Sequence, residues 1–128
     1  MRALIIDDSR GMRSILRRML QQLGFETDEA ANGRDGLERL RLSGNPDLVL
    51  VDWNLPVMNG LEFVQAVRAN SAYDAVPLLM VTTETELSQV TLALKSGANE
   101  YMMKPFTQEM LFGKLEQLNL PVGGMIHV

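Results

Sequence analysis

Residues 48–51, Leu-Val-Leu-Val, are apolar without alternation and run straight into a carboxylate, Asp52. A strand with one wet face alternates apolar and polar side chains. A strand apolar on both faces belongs in the middle of a parallel sheet covered by helices. This one run therefore sets the class of fold, and the charge that ends it sets the functional question.

The rest of the chain supplies matching pieces. Ala3 to Ile6 form a short apolar run closed by Asp7 and Asp8. Met12, Ile15, Leu16, Met19, Leu20 and Leu23 recur at helical spacing, and Gly24 stops them. Thr27 to Ala30 is a weak strand, followed by a turn at Asn32-Gly33. A second helix is expected from Asp35 to Leu42 with Leu37 and Leu40 inward, ended by Ser43-Gly44-Asn45-Pro46. Gly60 opens a helix carrying Leu61, Val64 and Val67 on one side. Pro77 to Val81 form a buried strand ending in Thr82. A helix through Leu87, Val90 and Leu94 reaches Lys95, with Gly97 as its stop. Tyr101 to Met103 form the last strand, closed by Lys104-Pro105, and Thr107 caps a final helix to about Leu118. Five strands alternating with five helices predict an α/β, doubly wound open sheet with helices on both faces. One domain over residues 1–120 is expected, with a tail, Pro-Val-Gly-Gly-Met-Ile-His-Val, over 121–128.

Several classes drop out. No apolar run approaches the roughly 18 residues of a membrane span, and the first residues do not form a secretory signal. With no cysteine there is neither disulfide nor thiolate metal site. The net charge is −4 despite nine arginines, the wrong sign for a phosphate-binding nucleic-acid protein. Arg10, Arg13, Arg17 and Arg18 interleave with the first apolar stripe and are expected to be its wet face. A cytoplasmic protein with no membrane insertion and no direct nucleic-acid contact fits these features.

In open parallel sheets functional groups collect past the carboxyl ends of the strands. Here those ends deliver Asp7, Asp8, Asp52, Thr82 and Lys104. Two like charges about 4 Å apart repel by roughly 4 kcal/mol at an effective dielectric of 20. Carboxylates so held either protonate or bind cations. Mg²⁺, a hard oxygen-seeking ion, suits one or two carboxylates plus waters and an incoming phosphoryl group. Lys104 adds a point charge and Thr82 a hydroxyl. Taken singly each has a plainer role: Asp8 or Ser9 as a helix cap, Thr82 in a turn, Lys104 in solvent. It is their conjunction on one rim that argues for a site.

The pieces Ile-Ile-Asp-Asp-Ser (5–9), Val-Asp-Trp-Asn-Leu-Pro-Val-Met-Asn-Gly (51–60), Val-Thr-Thr-Glu (81–84) and Tyr-Met-Met-Lys-Pro-Phe (101–106), in this order, resemble the receiver domain of two-component response regulators. The likeness spans about residues 2–118 and is strongest to the stand-alone, CheY-like chemotaxis regulators. It implies the flavodoxin-like strand order 2-1-3-4-5, which the residues alone do not dictate. It implies that Asp52 is the phosphorylated aspartate. Asp7 and Asp8 would hold Mg²⁺ with Asp52 and the backbone carbonyl of Asn54. Thr82 matches the switch hydroxyl, Lys104 the family's lysine with a cis bond to Pro105, and Tyr101 the aromatic that turns inward on activation.

The phosphodonor would be a histidine kinase, since the only histidine, His127, lies in the terminal tail. A small acyl phosphate is a second source. Asn54 and Glu84 stand at the positions that tune hydrolysis. Thr83 stands where the family usually has Ala or Gly, and its bulk is expected to slow phosphoryl exchange, which faster exchange in Thr83→Ala would bear out. Leu55 and Asn59 are milder departures. Gly36 inside the second helix costs on the order of 1 kcal/mol against Ala, without a functional account. Leu92, Tyr101, Met110 and Phe112 are the candidate partner surface, for a target expected to be the flagellar motor switch. The expectation is a monomeric signalling switch rather than a classical enzyme, either single-domain or an excised receiver.

The alternatives are a phosphorelay intermediate or a receiver with another output. A haloacid-dehalogenase-type phosphohydrolase would want Asp-x-Asp at the first strand, and no nucleotide-binding Gly-x-Gly-x-x-Gly follows it.

Overall fold

The computed structural model describes residues 1–83 and 88–122. Strands β1 (Arg2–Ile6), β2 (Glu26–Ala30), β3 (Leu48–Asp52), β4 (Leu78–Thr82) and β5 (Glu100–Met103) form one sheet in the order β2-β1-β3-β4-β5. Every pairing is parallel. Between and after the strands lie α1 (Arg10–Gln22), α2 (Gly33–Ser43), α3 (Gly60–Arg68), α4 (Val90–Ser96) and α5 (Gln108–Gln117). The all-apolar strand is central as expected, and all five of its residues are buried.

Strand periodicity divides the core in two. Leu4, Ile6, Val49, Val51, Leu78 and Met80 face α2, α3 and α4 through Leu40, Phe63, Val64, Val67 and Ala93. Their neighbours Ala3, Ile5, Leu48, Leu50, Leu79 and Val81 face α1 and α5 through Leu16, Leu20, Leu111 and Leu115. Burying a Leu or Val side chain contributes about 1.5–3 kcal/mol, so these two layers carry the fold.

Several local expectations need correction. α2 starts at Gly33, because the Asn32 side chain accepts from the Asp35 N–H and caps the helix instead of closing a turn. Gly36 has a steric reason: a Cβ there would stand 2.4 Å from Ile6 Cδ1 and 3.1 Å from Phe63. Ile15 and Leu94 point outward, 47% and 38% exposed, since α1 buries Leu16 and Leu20 and α4 buries Val90 and Ala93. In α3 Phe63 is fully buried, whereas Leu61 is only partly so. Leu87 lies outside the described residues. Ser9 and Thr107 do cap α1 and α5, accepting from the Met12 and Met110 N–H groups. Packing continues past residue 120, where Leu120 N–H donates to the Leu115 carbonyl and Val122 is fully buried. Among the described residues no helix is long and apolar enough to cross a membrane.

Candidate functional site

The parallel register brings four strand ends to one rim: Asp7 follows β1, Asp52 ends β3, Thr82 ends β4 and Lys104 follows β5. Asp7, Asp52 and Thr82 are the buried polar residues among those described, and all three lie here. Burial of polar groups is costly, so their concentration at one place marks it as the exception in an apolar core.

Carboxylate oxygens of Asp7, Asp8 and Asp52 lie within 4.8 Å of one another, with Asp8 exposed and the other two buried. The Lys104 ammonium sits 3.3 Å from Asp7 Oδ2 and 3.3 Å from Asp52 Oδ2. The second Asp7 oxygen accepts from the Ser9 N–H at 2.8 Å. Asp52 Oδ1 accepts a longer bond, 3.4 Å, from the Asn54 N–H. One ammonium thus faces three carboxylates, which leaves the cluster short of positive charge. Burial pushes the Asp52 carboxyl up to about 6; Asp7 adds to the rise, while Lys104 and the Asn54 N–H oppose it. Lys104 is itself lowered by burial, but Asp52 and Asp7 outweigh that and hold it above the usual lysine range.

The Asp52 backbone is fixed from below by α3. Gly60 N–H donates to the Trp53 carbonyl at 3.0 Å, and a Cβ on Gly60 would stand 2.5 Å from the Asp52 carbonyl oxygen. Only glycine lets the helix start this close. Asn59 and Glu62 close a reciprocal cap over that first turn. The connecting loop holds Val57 at φ 69, with Met58 N–H bonded back to the Pro56 carbonyl at 2.7 Å. This is the rarer, strained form of a γ-turn, and a β-branched residue is poorly suited to it.

The remaining candidates are distributed as follows. Thr82 is fully buried and its hydroxyl lies 3.3 Å from the Thr83 carbonyl; Thr83 is half-buried. The Lys104–Pro105 bond is cis, as the resemblance implied. Tyr101 is half-buried against the α2–α4 side of the core, with Lys114 Nζ 4.8 Å above its ring. Asn54 is exposed beside Asp52, and Glu84 lies outside the described residues. Leu92 and Met110 are exposed, 50% and 44%, but Phe112 is half-buried against the α1–α5 side and gives an outer surface only part of its ring.

One participant was missed. Arg13, expected on a wet face, is only 15% exposed along its side chain, and its Nη1 donates to the Asp7 carbonyl at 2.6 Å. Its Nε donates to Glu29 at 3.0 Å, and Arg17 holds the other Glu29 oxygen at 2.7 Å. The spacing of Arg13 four residues after the capping Ser9 was visible in sequence; its acceptor on β2 was not.

Comparison with known proteins agrees with this geometry. Residues 3–116 match the model of the response regulator receiver domain family. Chemotaxis protein CheY1 of Helicobacter pylori is 42% identical over 117 residues, which are 91% of this chain and 94% of that protein. The solved structure of the chemotaxis response regulator CheY4 of Vibrio cholerae superposes with a TM-score of 0.84 at 38% identity, covering 91% of this chain and 97% of that one. The receiver domain of a Pseudomonas aeruginosa sensor histidine kinase, solved with a magnesium ion coordinated in its active-site cleft, gives a TM-score of 0.82 at 25% identity, over 91% and 94% of the two chains.

Proposed function

The chain belongs to the response regulator receiver domain family, whose members are signalling switches, and from that premise we propose that Asp52 is its phosphoryl acceptor. The observation that carries this is the three-carboxylate cluster within 4.8 Å, with Lys104 bridging Asp7 and Asp52. These are hard oxygen donors in excess of their counter-charge, a donor set that fits Mg²⁺. Asp7, Asp8 and Asp52 would hold the ion, together with the Asn54 carbonyl. Magnesium, when bound, supplies charge neutralisation to the acidic cluster and to the oxygens of the transferring phosphoryl group.

The chain's own residues do the rest. β3 and Gly60 hold Asp52 rigidly, so that an Oδ lone pair meets phosphorus in line. As the new P–O bond forms, the P–N bond of a donor phosphohistidine breaks, and the imidazole nitrogen leaves with its electron pair. Lys104 balances the oxygens left on the acyl phosphate, and Thr82 offers them a hydroxyl. Phosphorylation then favours one of two conformations and changes affinity for a target. The donor is a histidine kinase, and the target is the flagellar motor switch, as expected for a monomeric chemotaxis regulator.

Incubation with acetyl phosphate and Mg²⁺, followed by intact-mass measurement, tests the acceptor. The wild-type protein gains one labile phosphoryl group, lost under mild base, and Asp52→Asn gains none. Equal uptake by Asp52→Asn would overturn the assignment. Capture experiments with and without beryllofluoride test the output. Phosphomimic-dependent enrichment of a rotor protein supports it, whereas enrichment of a phosphotransfer protein alone replaces it with a relay.

A further inference from the structure

Every polar group of Asp7 has a partner. Its N–H donates to the Ala30 carbonyl at 3.1 Å, its carboxylate takes Ser9 N–H and Lys104, and its carbonyl takes Arg13. The next residue, Asp8, differs: its carboxylate is exposed, and among the described residues none donates to it. Where that carboxylate stands is therefore set by the Asp7–Asp8 peptide, whose oxygen is gripped by Arg13 at 2.6 Å. Arg13 in turn is braced. Its Nε is fixed on Glu29 of β2, and Arg17 from the following turn of α1 closes on the same carboxylate. Burial pushes Glu29 up, but the hydrogen bonds from Arg17 and Arg13 outweigh it and keep the group ionised below the ordinary carboxylate range.

We propose that Arg13 is a positioning residue for the cation site, orienting the Asp7–Asp8 peptide so that the Asp8 carboxylate converges with Asp7 and Asp52. The assignment rests on the magnesium reading above. An outer partner that orients a metal ligand is worth about 10- to 100-fold in affinity when removed. Charge alone predicts the opposite sign: deleting a cation beside an acidic cluster should tighten the hold on a dication. The direction of the change thus separates positioning from electrostatics.

The experiment is titration with magnesium chloride alone at fixed ionic strength, followed by calorimetry and by the fluorescence of Trp53, the residue after Asp52. Arg13→Met keeps an unbranched aliphatic stem and a similar helix propensity and removes both bonds; it is expected to bind Mg²⁺ about tenfold more weakly. Arg13→Lys keeps the charge but cannot reach both acceptors, and is expected to fall between, roughly threefold weaker. Thermal unfolding in excess chelator checks that each variant is folded. If Arg13→Met is not, the Lys variant decides, because any loss at constant charge is positional. Affinity equal to or tighter than wild type in the folded variants overturns the role of Arg13 while leaving the cation site intact. Failure of the wild-type protein to bind magnesium overturns both.

Discussion

At the amino ends of the strands, the Arg68 guanidinium donates to the carbonyls of Tyr73, Val76 and Gly97 at 2.8, 2.7 and 2.9 Å. It also reaches Asn99 Oδ1 at 2.9 Å, and that oxygen takes the Leu78 N–H as well. One cation there meets neutral acceptors that match it and ties together α3, α4, β4 and β5. At the carboxyl ends Lys104 pairs with Asp7 and Asp52 in a cluster of three carboxylates that one ammonium cannot neutralise, and the loop after β3 carries Val57 at positive φ. The same sheet therefore has one end assembled for stability and one end held in a state that costs stability. Residues at a site are retained for what they do to a ligand, even where a different side chain would stabilise the chain.

The contrast can be broken by substitution. The largest effect is expected at the matched end: Arg68→Met strips donors from several backbone carbonyls and should lower unfolding free energy by about 3 kcal/mol in urea titrations. A loss below about 1 kcal/mol would mean that water replaces the guanidinium and that the two ends do not differ as described.

The opposite sign is expected at the rim. The folded chain holds the Asp52 proton with a pKa of about 6 against an ordinary 3.8, so it binds that proton more tightly than the unfolded chain. The destabilisation due to Asp52 is therefore absent below about pH 4, where the residue is protonated in both states, and grows as pH rises through 6. Asp52→Asn in metal-free buffer should gain on the order of 2 kcal/mol at pH 8, a gain that disappears toward pH 4. A pH-independent gain would trace to packing instead. The smallest effect sharpens the picture: Val57→Asn relieves the left-handed strain and should add about 1 kcal/mol, read as a rise in melting temperature.

Much of this was legible in the chain itself. Strands β1, β3 and β4 follow from apolar runs, whereas β2, Glu-Thr-Asp-Glu-Ala, leaves only a weak trace; the site follows from what interrupts those runs, because a polar residue directly after a buried strand has to lie on the rim. What stayed hidden is non-local or depends on exact direction. Arg13 reads as a solvent residue in sequence because its partner Glu29 is sixteen residues away on another strand. Ile15 and Leu94 share the period of an inward stripe, yet a helix on a sheet buries only its central line, here Leu16 and Leu20 or Val90 and Ala93. Asn32-Gly33 is as good a helix start as a turn, and only the Asp35 N–H decides between them. Gly36 reads as a weak helix residue in sequence, and only the approach of Ile6 and Phe63 explains it. No periodicity foretells Val57, since the turn after Pro56 would ordinarily take Gly or Asn.

Asp7 and Lys104 meet across 97 positions of sequence, and the lysine arrives with the last strand to be laid down. A chain emerging from the ribosome therefore displays its acidic trio well before the amine that balances them has been synthesised. The Lys104 pairs with Asp7 and Asp52 can close only once β5 has been added, so an unfinished copy carries the carboxylates without their counter-charge.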